Sequence, residues 1–420
     1  MTSIVKQRIE QIRRGEVPEG YIRNSSTIIP SGWKKSDFSA LAIIASGLVD
    51  PKQEPYCHMK HIGPENIEKN TGRILETSLA SELGLISGKF YFDSKSIVYS
   101  KIRPNLNKVC APNFEGICSA DCYSITPTQA IRKHYLLNLM LSYDFYKRAV
   151  ACSMRTGMPK INQDDLNIIP MCYPSNLVEQ ERIERILTDQ DKLIALKEKL
   201  IEEKKLKKKA LMQQLFSGKK RVPGFSDEWK LIKLKKLLKE RKTYCQKGLD
   251  FPHATLSIDG IYAKTDRYDR EHLVKSEDKE YKITHKGDIC YNPANLKFGV
   301  ICVNTFGDAI FSPIYVTFEV QKDVDLGFLS NYLMRWDFIN AVRKYEEGTV
   351  YERMAVKPED FLKFEIKFPS IEEQKAISKI LSLYDSEIGL LKNDLDQEKQ
   401  KKKALMQLLL TGIVRVKENE

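Results

Sequence analysis

"KKKALMQQLFSGKKRV" at positions 207–222 returns 194 positions later as "KKKALMQLLLTGIVRV" at 401–416. The same offset carries the match upstream, where "EQERIERILTDQD" from Glu179 faces "EQKAISKILSLYD" from Glu373. From there through Val222 and Val416 no gap is needed, and 20 of 44 positions are identical. Just before it, "QDDLNIIPMCYPS" faces "PEDFLKFEIKFPS" more loosely, and further back the two halves diverge. One framework is therefore present twice, and it carries two different inserts.

The shared stretch reads as a long helix. In its second copy Ile377, Leu381, Tyr384, Ile388, Leu391 and Leu395 step by 4, 3, 4, 3 and 4, the spacing of a coiled-coil seam. The first copy has Ile183, Leu187, Gln190, Ile194, Lys197 and Ile201 at those places, a less pure stripe that Leu193, Leu196 and Leu200 are expected to widen. No Pro or Gly interrupts 179–217, while Gly218 and Gly412 stand where a C-terminal stop belongs. Such a helix spans roughly 55–60 Å, more than a compact domain needs, so the repeat predicts two helices packed on each other. The N-terminal "RIEQIRRGEVPEGY" loosely echoes the helix exit "LMQQLFSGKKRVPGF", and "IPSGWKK" enters insert one as "SDEWKLIK" enters insert two, matching Trp33 with Trp229. An N-terminus that completes the second helix end makes a closed ring of two units, with antiparallel helices and one insert at each end of the rod.

Each insert is mixed. "SIVYSKI" (96–102), "DICYNP" (288–293), "GVICV" (299–303) and "PIYVTFEV" (313–320) are strand-like. "HYLLNLMLSYDFYKRAV" (134–150) and "GFLSNYLMRWDFINAVRKY" (327–345) read as helices. The expected fold class is α+β: an N-terminal segment 1–27, a first domain 28–175, a spacer helix 176–218, a second domain 219–370, and a distal helix with tail 371–420. At 420 residues and 42% hydrophobic content the chain suits two globular domains and has no apolar run of membrane-spanning length. The start "MTSIVKQRIEQIRRGE" lacks the apolar stretch of a secretory signal, and nine scattered cysteines suit reduced thiols, so a cytoplasmic location is expected. A formal net charge of +12 favours a polyanionic partner.

The whole chain resembles the specificity subunits of type I restriction-modification enzymes. In insert one, "GLVDPKQEPYCHMKHIGPENIEKNTGRIL" (47–75), "YSKIRPNLNKV" (99–109), "GICSADCYSI" (116–125) and "GMPKINQDDL" (157–166) carry the likeness. In insert two "KGDICYNPANLKFGVI" (286–301), "SPIYVTF" (312–318) and "GTVYERM" (348–354) do so, and the repeated helices are similar to that family's spacers. The resemblance implies two unlike target recognition domains, each reading one half of a split double-stranded DNA site, with the helices setting the distance between them. It also implies two methyltransferase subunits, which methylate adenine with S-adenosylmethionine, and two ATP- and Mg-dependent restriction subunits in the full complex. No cofactor is then bound by this chain itself.

Base edges are read by side chains with paired donors or acceptors. The loops supply Asn66, Lys101, Arg103, Asn105, Lys108, Arg155, Thr156 and Lys160 in insert one, and Ser257, Asn292, Asn295, Lys297, Tyr351 and Arg353 in insert two. Phosphate contacts, which position without reading, draw on the same residue types.

Catalytic signatures are missing. There is no Walker loop. "NPAN" at 292–295 lacks the second Pro and the aromatic residue of an adenine methyltransferase motif, and "EIK" at 365–367 reads as an alternating strand rather than a nuclease motif. Cys57, His58 and His61, or Cys118 with Cys122, do not complete a zinc set, so no metal is expected. The alternative to a restriction-modification subunit is an autonomous sequence-specific DNA-binding regulator; a coiled-coil scaffold whose inserts bind protein comes third.

Overall fold

A computed structural model describes residues 3–153, 159–246, 251–264, 280–346 and 354–416. Two helices of 40 residues, Leu177–Phe216 and Ile371–Leu410, correspond to the repeated stretch. Beyond each, Gly218 and Gly412 adopt φ of 72° and 71°, the left-handed conformation that ends a helix cheaply only at glycine. The second helix runs unbroken through Gly389, where a side chain would meet nothing within 4 Å. Packing of the neighbouring Ile388 outweighs the lost propensity, about 1 kcal/mol.

The chain forms two units, one of Met1–Lys199 with Asn393–Glu420, the other Leu200–Lys392. In the first, a four-stranded antiparallel sheet runs Ala42–Ile44, Cys122–Pro127, Ile97–Ser100, Val109–Cys110. All four residues of Ile97–Ser100 are buried, which suits the apolar run from Ile97 to Tyr99. A second sheet joins Lys60–Ile62, Gly116–Cys118 and Phe90–Phe92. A ribbon of Trp33–Asp37 with Pro170–Pro174 leads into and out of the insert. The core gathers Trp33, Tyr99, Tyr135 and Phe145 with Ile183 and Leu187 of the first long helix and Leu409 and Leu410 of the second. The N-terminal helix Ser3–Arg13 and the following hairpin reach the exit of the second long helix: Arg8 Nη1 donates to Ile413 O and Tyr21 OH to Gly412 O, both at 2.6 Å.

The second unit repeats the plan with other residues. Its four-stranded sheet runs Leu238–Glu240, Val316–Val320, Ile289–Tyr291, Ile301–Val303. Lys230–Lys233 pairs with Glu365–Phe368 as the entry ribbon; in the latter, Ile366 and Phe368 are buried and Glu365 and Lys367 exposed, the alternation read from the sequence. Its core takes Ile377 and Leu381 of the second long helix and Leu215 and Phe216 of the first, each 194 positions from its counterpart in the other unit.

In each unit the long helices lie antiparallel. Lys402 Nζ meets Asp191 Oδ1 at 2.6 Å in the first unit, and Lys208 Nζ meets Asp385 Oδ1 at 2.6 Å in the second, the same pair by the repeat. Along the seam Ile183, Leu187, Ile194, Ile201, Ile377, Leu381, Ile388 and Leu395 are buried, with Tyr384 and Leu391 half-buried. Of the residues expected to widen the stripe, Leu193 is half-buried, whereas Leu196 and Leu200 are corrections, 65% and 39% exposed. The inner stripe is completed instead by Gln190, whose Nε2 donates to Glu398 Oε2 at 2.7 Å, and by Lys197, paired with Asp394.

Two expected helices are each broken. Residues 134–150 fall into Lys133–Leu141 and Tyr143–Ser153, because the intervening Ser142 turns extended and its Oγ accepts from Phe145 N at 3.4 Å, the behaviour of a capping serine. Residues 327–345 split into Leu326–Leu333, Trp336–Val342 and a 3₁₀ turn, with Arg335 extended at the break.

Candidate nucleic-acid interface

The candidate residues concentrate in one topological place. Seven of the ten described candidates occupy the loop joining the third and fourth strands of the four-stranded sheet in their unit: 101–108 between Ile97–Ser100 and Val109–Cys110, and 292–300 between Ile289–Tyr291 and Ile301–Val303. Each loop contains a 3₁₀ turn, Pro104–Leu106 in one and Leu296–Phe298 in the other.

In the first unit the loop is held by a short strand-like segment. Arg103 N donates to Pro159 O at 2.8 Å and Ile161 N to Lys101 O at 2.9 Å, which brings Lys160 beside Lys101. Arg103, Asn105 and Lys160 are exposed, and Lys101 is half-buried. The Lys101 ammonium lies 5.2 Å from the Tyr123 ring centre and 5.9 Å from that of Phe90. Burial, and after it the charge of Lys160, push that ammonium below its usual pKa. Two cations so close are relieved by an anion, as a phosphate or the acceptor edge of guanine would supply. Arg103 itself has φ 48° and ψ 58°, a conformation costly for a residue with a side chain and kept where the surroundings enforce it. Lys108 Nζ turns inward to Pro64 O. Asn66 commits both side-chain groups to its own loop, Oδ1 accepting from Gly63 N and Nδ2 donating to Glu76 O.

In the second unit Asn292 is buried, and its Oδ1 accepts from Ala294 N at 3.1 Å, so it shapes the turn. Asn295 is half-buried, and Lys297 Nζ lies 5.2 Å from the ring centre of the exposed Phe298. A Cβ at Gly299 would stand 4.0 Å from Ile258 Cδ1, which puts the tip of the hairpin Ala254–Ser257/Gly260–Ala263 beside this loop, Ser257 included. Arg155, Thr156, Tyr351 and Arg353 lie outside the described residues. Phe90, Tyr123 and Phe298 were not among the sequence candidates; only the dipeptide Lys297–Phe298 announces such a platform.

Away from these loops, Glu54, Cys57 and His58 bring donor atoms within 4.8 Å of one another at the surface, whereas His61 is buried in a strand. Burial pushes the Cys110 and Cys118 thiols up to about 12 and raises the Cys122 thiol as well. Among the described residues no helix is long and apolar enough to cross a membrane.

The two long helices are tied to each other by repeated contacts. Arg415 forks onto the buried Glu179 at 2.6 and 2.7 Å, and Arg221 onto the buried Glu373 at 2.7 and 2.8 Å. Both pairs are equivalent by the 194-residue offset, and each closes a helix exit against the start of the other helix.

Comparison with known proteins agrees with this architecture. A family model described as the Type I restriction modification DNA specificity domain matches residues 30–205 and 227–399. The Type I restriction enzyme EcoDI specificity subunit of Escherichia coli is 38% identical over 180 residues, 43% of this chain and 37% of that protein. The putative type I restriction enzyme MjaX specificity subunit of Methanocaldococcus jannaschii is 28% identical over 317 residues, 68% of this chain and 69% of that one. The match thus spans well under half of the E. coli protein. Among solved structures, a chain from work on complex assembly and conformational transition of the type I R-M system superposes with a TM-score of 0.61 at 15% identity, over 92% of this chain and 99% of that one. The type I restriction-modification system S subunit from M. genitalium gives 0.54 at 15%, over 94% and 98%; both show a shared fold. Matched in both halves over most of its length, the chain belongs to the family of type I restriction modification DNA specificity domains.

Proposed function

We propose that this chain is the DNA sequence-specificity subunit of a type I restriction-modification complex in the cytoplasm, with each insert reading one half of a bipartite site. The observation that carries the reading is the pair of equivalent loops, 101–108 and 292–300, which share a topological position and differ in side chains. Equivalent loops with unlike donors and acceptors suit two unlike half-sites. The long helices, about 60 Å each, serve as the ruler between them. Catalysis falls to partners: S-adenosylmethionine to two methyltransferase subunits, ATP and Mg to two restriction subunits. The helices also offer docking faces for the methyltransferases. Leu196 and Leu390 occupy the same position of the repeat and are 65% and 70% exposed, so one surface is presented twice, as two identical partners require.

The test is an exchange of residues 28–175 for another insert, assayed by adenine methylation of DNA with the methyltransferase present. One half-site should change while the other half and the gap persist. Changes in both halves, or tight specific binding by the isolated chain that the methyltransferase does not alter, would favour the autonomous regulator.

A further inference from the structure

A ruler fixes a gap only if each reading loop is fixed to it. In the first unit a contact chain leads from loop to helix. Asn70 N donates to Asn107 O at 3.2 Å, and Lys108 Nζ to Pro64 O, joining the 101–108 loop to the neighbouring 64–76 loop. The latter is stiffened by Ile67, which is buried, by the Ile67–Ile74 bridge, and by Gly72, where a Cβ would press on Leu141 Cδ1 at 3.2 Å. At its turn Arg73 Nη1 donates to Glu198 Oε2 of the first long helix at 2.5 Å, and Glu198 Oε1 meets Lys399 Nζ of the second at 2.8 Å. Burial raises the Glu198 carboxyl, but the bonds from Lys399 and Arg73 together outweigh it and hold it below the usual carboxylate range. The repeat places Lys392 where Glu198 stands and Lys205 where Lys399 stands, so the second unit cannot build the same strut.

We propose that Arg73 is a positioning residue: by tying the 64–76 loop to both long helices it holds the 101–108 loop at one place along them, and so narrows the range of gaps that the complex accepts. The inference rests on the ruler reading above. It is tested with the full chain and its methyltransferase on DNA carrying both half-sites at the natural gap, one pair longer and one pair shorter. Arg73→Ala should methylate the natural gap at a rate within about twofold of the parent, while its preference over the altered gaps falls about threefold, the scale of a half-exposed ion pair. Arg73→Lys, which keeps the charge, should retain most of the preference, and Glu198→Gln should match Arg73→Ala. An unchanged preference in Arg73→Ala, or a loss equal at all three gaps, would overturn the assignment while leaving the ruler standing. Equal methylation of all three gaps by the unsubstituted complex would instead remove the ruler, and this inference with it.

Discussion

In the first unit Gln180 Oε1 accepts from Arg132 N at 2.8 Å; in the second its counterpart Gln374 accepts from Asp325 N at 2.9 Å. Two residues beyond, the inserts part company. His134 faces Glu184 at 3.5 Å, with Arg132 Nε on the same carboxylate at 3.0 Å. At the equivalent place Gly327 packs so closely on Ser378 that a Cβ would overlap its hydroxyl. The two repeated glutamines grip backbone, which every insert possesses, and the contacts that changed are those between side chains. Where the framework's hold on its cargo goes through main-chain groups, it tolerates cargo of another sequence.

The comparison can be broken first at the buried forks. Glu179→Ala and Glu373→Ala should each cost about 1.5–3 kcal/mol, because a half-exposed guanidinium loses its forked charge-assisted hydrogen bonds. Glu373→Ala should cost more, since Trp229 Nε1 also donates to Glu373 at 3.0 Å whereas Trp33 Nε1 has no protein partner. Urea unfolding of the two variants measures it, and equal costs would deny the difference between the seats. A smaller effect follows from acid. Burial raises the Glu184 carboxyl, but the bonds from His134 and Arg132 outweigh it, so its pKa lies below the usual range. A depressed folded value means stability that is complete above the unfolded pKa, about 4.3, and is lost as pH falls through the folded one. Hydrogen exchange at falling pH should therefore loosen the 133–141 helix through the protonation of Glu184, an effect that Glu184→Gln abolishes; Ser378 offers the second unit no such group. The smallest effect contrasts Ala195 with its counterpart Gly389. Gly389→Ala should stabilise by about 0.5–1 kcal/mol, seen as a higher urea midpoint, because the position is open to solvent.

Much of the framework was legible because it is local and repeated. The 4, 3 step from Ile377 to Leu395 marks both the helix and its buried stripe. Leu196 misled because it is apolar and close to the stripe in sequence, although two residues beyond the buried Ile194 it stands on the far side of the helix, in solvent. The breaks at Ser142 and Arg335 were hidden by apolar periodicity that continues across them. Of the candidate loops, the polar clusters at 101–108 and 292–297 were visible, but nothing in sequence separates Arg103, exposed, from Asn292, folded inward to cap its own turn. Arg73 and Glu198 lie 125 positions apart, and no local pattern announces that they meet.

The seam is symmetric at Lys208–Asp385 and Lys402–Asp191, and asymmetric at two further rungs. Lys197 pairs with Asp394 and Lys204 with Glu387, yet the first-helix counterparts of those acids are Leu200 and Leu193. Two copies of the first helix brought together in this register would set both lysines against leucines. Pairing the two unlike helices of one chain therefore satisfies two lysines that a pair of first-helix copies would leave without an acid.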